Sequence, residues 1–582
     1  MRNIGRKICV RGFLIWSLFC CSAAFAQSVG SAADAQRTLS VVPSSSELAP
    51  LRVLPSTKPQ LPEVQSNAQA RELGKPDDDT RIDVQRFVVD ANAPAELQAA
   101  LPQLTARFLG KGRSFEDLVN ATVEVTRFMQ RDLGYYLGYA YLPEQSPKDG
   151  AIRIAVLEGR LDRVVLNWVD GLPVAKEVVE AYLSRLKPGS ILLVRDVERV
   201  VFLVNDLRGL TARFDVRAGE TPGSATLVVT PRAEKVWSGK VDADVNGSRF
   251  LGAYRLSGLL QMNSPFGRGD GLTANALAST TGGLGFALLG YSTPVGSDGF
   301  KLGTSVSGVK YKLDKVLFPL ELDGTAVTFN GYGLYPFIRS RNLNLFTLGS
   351  FEHKAYEDRQ EVAGSFTRKS VQTLTFGVTG DFRDGMLGGG VNTFEASLIS
   401  GRVKYPAGRP GGLDDAPDFT KITFGYSRLQ DWLTGHLLAY ASLRGQLALK
   451  NLDTTEQFRI GGPDGVRAFA PGEGTGDEGA VLSVELRLLP IEAWLGRMAR
   501  EMVLSTFVDT GYVRYRHSPA VDATGTHKNT GMFTGAGIGL SWVQGTDYAM
   551  RFSLATPLSG TPRNDTLVRK PRLFLSASKL FN

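Results

Sequence analysis

Few residues of this 582-residue sequence are spaced for chemistry. The four histidines, His353, His436, His517 and His527, show no metal-ligand spacing, and no thiolate can join them, because Cys9, Cys20 and Cys21 all fall in the first 21 residues. The string Gly474-Thr475-Gly476-Asp477-Glu478-Gly479 satisfies G-x-G-x-x-G. It precedes a strand pattern instead of joining a strand to a helix, and its two acids would repel a pyrophosphate. Arg268-Gly269-Asp270 reads as a tight turn. No glycine-rich loop runs into Gly-Lys-Ser/Thr, and neither Gly-x-Ser-x-Gly nor His-Glu-x-x-His occurs. The sequence therefore predicts no enzyme, no resident cofactor and no metal site.

The elements behind these residues come in two materials. Of the 64 glycines, 15 lie in residues 1–230 and 49 in the remaining 352, about twice the average usage. With 43% hydrophobic and 21% charged residues the chain is too apolar to be disordered, and its apolar runs are too short for a helical membrane bundle. Residues 1–26 read as a secretory signal peptide: Arg2, Arg6, Lys7 and Arg11 precede an apolar stretch that ends at Ala24-Phe25-Ala26, with cleavage before Gln27. A lipoprotein reading would modify Cys20 or Cys21, but bulky Phe19 stands where a small residue is wanted. Loss of the peptide takes the formal charge from +8 to +4, so the basic pI implies no nucleic-acid partner.

Residues 27–80 hold six prolines and no sustained period, as a flexible linker does. Two β-α-α-β-β modules follow, at 81–159 and 160–233. In the first, Ser114 with Glu116 and Asp117 marks a helix start. From residue 234 to 582 the period is two: Leu437, Ala439, Ala441 and Leu443 alternate with Tyr440, Ser442 and Arg444. Dividing this half by such runs and by turn dipeptides (Asp270-Gly271, Asp323-Gly324, Asp384-Gly385) predicts sixteen antiparallel strands. Strands this long, and even in number, predict a transmembrane β-barrel over a soluble sandwich or propeller. Residues 573–581 are the expected closing strand.

Residues 139–171, YAYLPEQSPKDGAIRIAVLEGRLDRVVLNWVDG, and 189–223, GSILLVRDVERVVFLVNDLRGLTARFDVRAGETPG, resemble the first and second polypeptide-transport-associated (POTRA) modules of two-partner secretion transporters (TpsB). The likeness continues through QMNSPFGRGDGL (261–272) and IGGPDGVRAFAPGEGTGDEGAVLSVELR (460–487). On these stretches the chain is similar to the ShlB/FhaC/HecB type of haemolysin secretion/activation protein within the POTRA-plus-barrel outer-membrane superfamily.

The resemblance implies a site. Val466-Arg467-Ala468-Phe469 matches the motif that caps a long outer loop folded back into the lumen, and Phe507-Val508-Asp509-Thr510-Gly511 matches the segment whose aspartate meets the arginine. Residues 453–477 would be that loop, between strands eleven and twelve, with Asp509 on strand thirteen facing inward. If hydrated, the Arg467–Asp509 pair is worth ~1 kcal/mol and serves placement. Ala468 stands where glycine is common, and a methyl group restricts a tip at positive φ.

The function implied is an outer-membrane translocator whose periplasmic modules recognise an unfolded exoprotein by strand addition and whose barrel, a monomeric pore in outer-membrane lipid, conducts it to the surface. The family often carries an N-terminal plug helix, for which residues 27–80 show no helical period. The alternative is an insertase for other barrels, of the same superfamily; a passive diffusion porin would not need two recognition modules.

Overall fold

The computed structural model describes residues 63–64 and 81–581, apart from 147–148, 320, 363, 411–413, 434, 520–527 and 564–570. The expected signal peptide, most of the 27–80 segment and His527 lie outside the described residues.

The first module packs helices Ala95–Thr105 and Phe115–Arg131 on a sheet ordered Arg86–Val89, Ala151–Leu157, Tyr139–Tyr141. Leu97, Leu118, Ala121, Val125 and Met129 line the helix side of its core against Ile152 and Ile154. Ser114 starts the second helix with a reciprocal box: its hydroxyl accepts the Asp117 N–H at 3.2 Å while the Asp117 carboxylate accepts the Ser114 N–H at 3.0 Å. The Leu142-Pro143-Glu144-Gln145 turn also has a physical task. The Gln145 amide accepts from Arg153 N and donates to Arg153 O at 2.7 and 2.8 Å, pairing with the sheet as a backbone unit would. One element is additional to the expected order: Gly110–Arg113 pairs with Ile82–Val84. Its Gly-Lys-Gly-Arg sequence carries no apolar period by which to read a strand.

In the second module, helices Lys176–Leu183 and Val194–Asn205 cover strands Arg160–Leu166, Leu210–Ala218 and Ser224–Ala233. The modules are joined by more than sequence. Tyr136 N–H donates to Leu192 O at 2.8 Å and Val194 N–H to Gly134 O at 2.9 Å. Within the segment expected to be a plain linker, Glu63–Val64 adds a parallel strand to the outer edge of Leu210–Ala218, opposite Asp215 and Val216. A two-residue pairing leaves no hydrophobic period to read.

The remaining chain forms a closed sheet of sixteen antiparallel strands. Strand 1 (Trp237–Asp244) and strand 16 (Arg572–Phe581) pair from Gly239 with Phe581 to Asp244 with Ser576. Lipid offers no partner to an open edge, so closure is the physical solution. Strand 12 (Glu478–Leu488) shows the two faces: Leu482, Val484 and Leu486 are exposed outward, while Ser483 and Glu485 point into the lumen. Strands 6 (Leu322–Arg339), 7 (Leu343–Gln360) and 8 (Ser365–Asp384) run for 18, 18 and 20 residues. Even tilted by ~40°, strands of that length exceed the ~25 Å apolar band and continue as a wall above the membrane. This corrects one turn assignment: Asp323-Gly324 lies inside strand 6. There a Cβ on Gly324 would come within 2.4 Å of the Tyr311 hydroxyl, so the glycine serves a close approach instead of a bend.

Candidate functional site: a loop tip inside the barrel and a module on its rim

The connection between strand 11 (Leu437–Ala448) and strand 12 folds back into the barrel and carries Arg467 to strand 13 (Met502–Arg514). Asp509 receives three bonds from Arg467: from the backbone N–H at 3.0 Å, from Nε at 2.9 Å and from Nη2 at 2.8 Å. Ser483 Oγ donates to Asp509 Oδ1 at 2.7 Å and accepts from Arg467 Nη2 at 3.0 Å, and Glu485 lies 2.8 Å from Nη1. The Phe507 ring closes one face of the guanidinium, its centroid 3.3 Å from Cζ.

The condition under which the pair would be worth only ~1 kcal/mol, hydration, is not met. The Arg467 side chain is 14% exposed and that of Asp509 0%. Burial alone would lower the guanidinium's pKa, but Asp509 and Glu485 outweigh it and raise it, so the charged state is reinforced. Removing Arg467 would leave the Asp509 carboxylate buried without a cation, at about 3–5 kcal/mol, whereas removing Asp509 would leave the arginine with Glu485.

The other motif residues form the packing around this fork. Val466, Ala468 and Phe469 are buried with Ile460, Phe507 and Phe533, and the rings of Phe469 on the loop and Phe533 on strand 14 (Thr530–Gln544) meet edge to face at 5.0 Å. Gly511 has no room for a side chain: a Cβ would stand 2.3 Å from Ile460 Cγ2 and 2.9 Å from Val466 Cγ2. Ala468 is absent from the non-glycine residues at positive φ, so the expected backbone cost does not arise. The space its methyl needs comes from Gly535, whose own Cβ would approach it to 2.3 Å. Ser483, Glu485, Phe533 and Gly535 were not singled out in the sequence, although the inward parity of strand 12 was available for the first two.

A second buried arginine fork lies at the periplasmic rim. Arg339, at the end of strand 6, donates through Nε and Nη2 to the two oxygens of Asp206 at 3.0 and 2.8 Å, and through Nη1 to Asn344 at 2.8 Å. Asp206 caps the C-terminus of helix Val194–Asn205, where the helix dipole disfavours an acid; Arg339 explains its presence. The Phe202 ring lies 4.5 Å from the guanidinium carbon. Around this fork the second module meets two inner turns and the end of strand 6: Ala175 N–H donates to Gly267 O at 2.8 Å and Arg208 N–H to Gly269 O at 3.2 Å in the first turn, and Arg199 to Asp298 O in the second and to Pro336 O on the strand at 3.2 and 3.0 Å. The Arg-Gly-Asp tripeptide is thus an inner turn whose Gly269, at φ +73, lies against Leu207.

The histidines stay apart from all of this. His353 lies on strand 7, His436 in an inner turn, and His517 beside Glu478. Among the described residues no cluster has the makings of a metal site.

A sixteen-stranded barrel carrying tandem POTRA-type modules defines a class, the POTRA-plus-barrel outer-membrane proteins. Residues 223–542 match the family model described as haemolysin secretion/activation protein ShlB/FhaC/HecB, and residues 82–159 match the ShlB-type POTRA domain; the chain belongs to this family. It is 26% identical over 499 residues to the heme/hemopexin transporter protein HuxB of Haemophilus influenzae, covering 85% of this chain and 86% of the relative. It is 25% identical over 426 residues to the outer membrane transporter CdiB of Dickeya dadantii, covering 71% and 73%. Among solved structures, CdiB from Escherichia coli superposes with a TM-score of 0.67 at 20% identity, covering 90% of this chain and 94% of the other. The protein is an outer-membrane translocator of two-partner secretion, with its modules in the periplasm. Members of the family are transporters that work with secreted exoproteins.

Proposed function

We propose that the chain takes an unfolded exoprotein onto its modules (81–159 and 160–233), passes it through the barrel (234–582) when the loop tip leaves Asp509, and performs no catalysis on it. The observation that carries this reading is the docking of the second module on the inner turns, which puts client-binding surface at the mouth of a barrel whose lumen a loop occupies. In the first module the edge strand Tyr139–Tyr141 has no further strand beside it among the described residues, and Val119 and Val123 are exposed on the adjoining helix. Backbone hydrogen bonds and apolar contact are therefore both on offer there to an extended chain. In the second module, Glu63–Val64 already covers the edge of Leu210–Ala218. No step of the proposal needs a nucleotide: the client's folding outside prevents its return. Each chain closes its own sheet, which supports a monomeric pore in outer-membrane lipid.

Deletion of the gene tests the proposal. One large protein should vanish from the medium while outer-membrane proteins assemble normally; a general loss of outer-membrane barrels would favour the insertase instead. The identity of the missing protein would then tell a hemopexin-related client, the class named for the Haemophilus relative, from others.

A further inference from the structure

The loop that ends at Arg467 begins in a second set of buried ion pairs. Just beyond strand 11, Asp453 caps the single turn Thr454–Glu456, accepting from the Thr455 N–H at 3.0 Å. Both oxygens of Asp453 receive Lys369 Nζ at 2.8 Å, and Tyr405 donates to one of them at 3.3 Å. Glu456 receives Lys354 and Lys421, each at 2.9 Å, and its own carbonyl accepts from Lys421 at 2.7 Å and from Gln446 at 3.1 Å. Glu352 shares Lys354 at 2.8 Å. Three ammonium groups thus face three carboxylates, and the side chains of Asp453, Glu456 and all three lysines are 8% exposed or less.

The lysines stand on strands 7, 8 and 10 (Asp418–Leu433), whereas the tip is held by strands 12 to 14. The loop therefore crosses from one wall to another. Its two ends differ in what release requires. The tip has one cation, partly exposed, set between Asp509 and Glu485; freeing the base means separating three buried pairs together, Lys369–Asp453, Lys354–Glu456 and Lys421–Glu456, after which only Lys354 keeps an acid, Glu352. Separation of a whole network is far rarer than separation of one fork.

We propose that residues 453–456 are the fixed pivot of the loop: on opening, the base stays on its wall and only the tip leaves Asp509. The proposal rests on the reading that tip release opens the pore, and the test tells the two apart. Residues 22–582 contain no cysteine, so pairs introduced into the full-length mature protein are its only thiols. Phe469→Cys with Phe533→Cys joins the tip to strand 14, and Asp453→Cys with Lys369→Cys joins the base to strand 8; each pair is closed with a short bifunctional thiol reagent. The readout is KCl conductance across planar lipid bilayers, which needs no client.

Tip closure should suppress large openings at least tenfold, and base closure should leave their frequency within twofold of the parent protein. Suppression by both closures would overturn the pivot while leaving loop gating intact. Suppression by neither would overturn the gating reading itself, and the pivot with it. The exchanged pair Lys369→Asp with Asp453→Lys supplies a check free of the reagent: it should restore the parent's conductance, which Asp453→Asn alone should disturb, whereas failure of the exchange to restore it in a folded barrel would count against a charge-held pivot.

Discussion

The two arginine forks, Arg467 on Asp509 and Arg339 on Asp206, use the same chemistry for opposite ends of the transporter. Each is a bidentate guanidinium–carboxylate pair under an aromatic ring, Phe507 in one case and Phe202 in the other. Their settings differ. The lumen fork joins a loop to a strand 42 residues away, and its arginine keeps an exposure of 14%; the rim fork joins a helical module to a strand end 133 residues away, with both side chains at 5%. On the proposed reading the first is the contact that opens. The second sits in an interface with several further bonds and reads as a mounting.

The largest effect expected from this contrast follows Asp509→Ala. Arg467 then keeps Glu485 alone, and the tip loses its three bonds to a buried carboxylate, about 3 kcal/mol of its docking. Secretion of the client should fall more than tenfold, while the barrel stays folded by its heat-dependent gel mobility. Secretion at the parental level would remove the lumen fork from the mechanism.

Arg339→Ala should act on the other region. Hydrogen exchange of amides 194–207 should speed up while that of strand 13 stays unchanged, because the module loosens on a closed barrel. Equal acceleration in both would mean that the forks are not independent, and would break the comparison.

A third prediction concerns acid. Burial pushes the Glu456 carboxyl up, but Lys354 and Lys421 outweigh it and hold the group at about 2, below its ordinary 4.5. A lowered folded value gives stability that is complete above pH 4.5 and lost as pH falls through about 2. A spin label at Thr455→Cys should therefore stay immobile down to about pH 4.5 and gain mobility only between there and pH 2. Mobility already present at neutral pH would contradict a buried, ion-paired base.

The smallest effect belongs to neither fork. Ser114→Ala removes one half of a capping box, worth ~1 kcal/mol, and should raise hydrogen exchange in helix Phe115–Arg131 about fivefold without touching conductance. An effect on conductance would mean that the first module is coupled to the loop.

How far the sequence could be read follows the range of the physics. The strand count and the loop position were legible because period two and turn chemistry are local. Arg467 and Asp509 were legible through a motif, but their burial was not: the walls that exclude water, from Ile460, Phe507 and Phe533, assemble only when the sheet closes. Asp206 and Arg339 left no common signal, since nothing local at either residue names a partner 133 positions away. Lys354, Lys369 and Lys421 occupy alternating positions of their strands, and the alternation shows which face a lysine takes without showing that a loop will cover it. Asp323-Gly324 misled for the opposite reason: a turn dipeptide served a close approach to Tyr311 within a strand.

The most direct test is to catch a client in transit. A photoreactive residue at Ser505, which shares the inward face of Asp509 on strand 13, is set against one at Val241, exposed on the outside of strand 1. With the client stalled by a fused, tightly folded domain, the account predicts crosslinks from Ser505 and none from Val241. Crosslinks from Val241 alone would contradict it, because the polypeptide would then be leaving through the seam between strands 1 and 16 and not through the lumen.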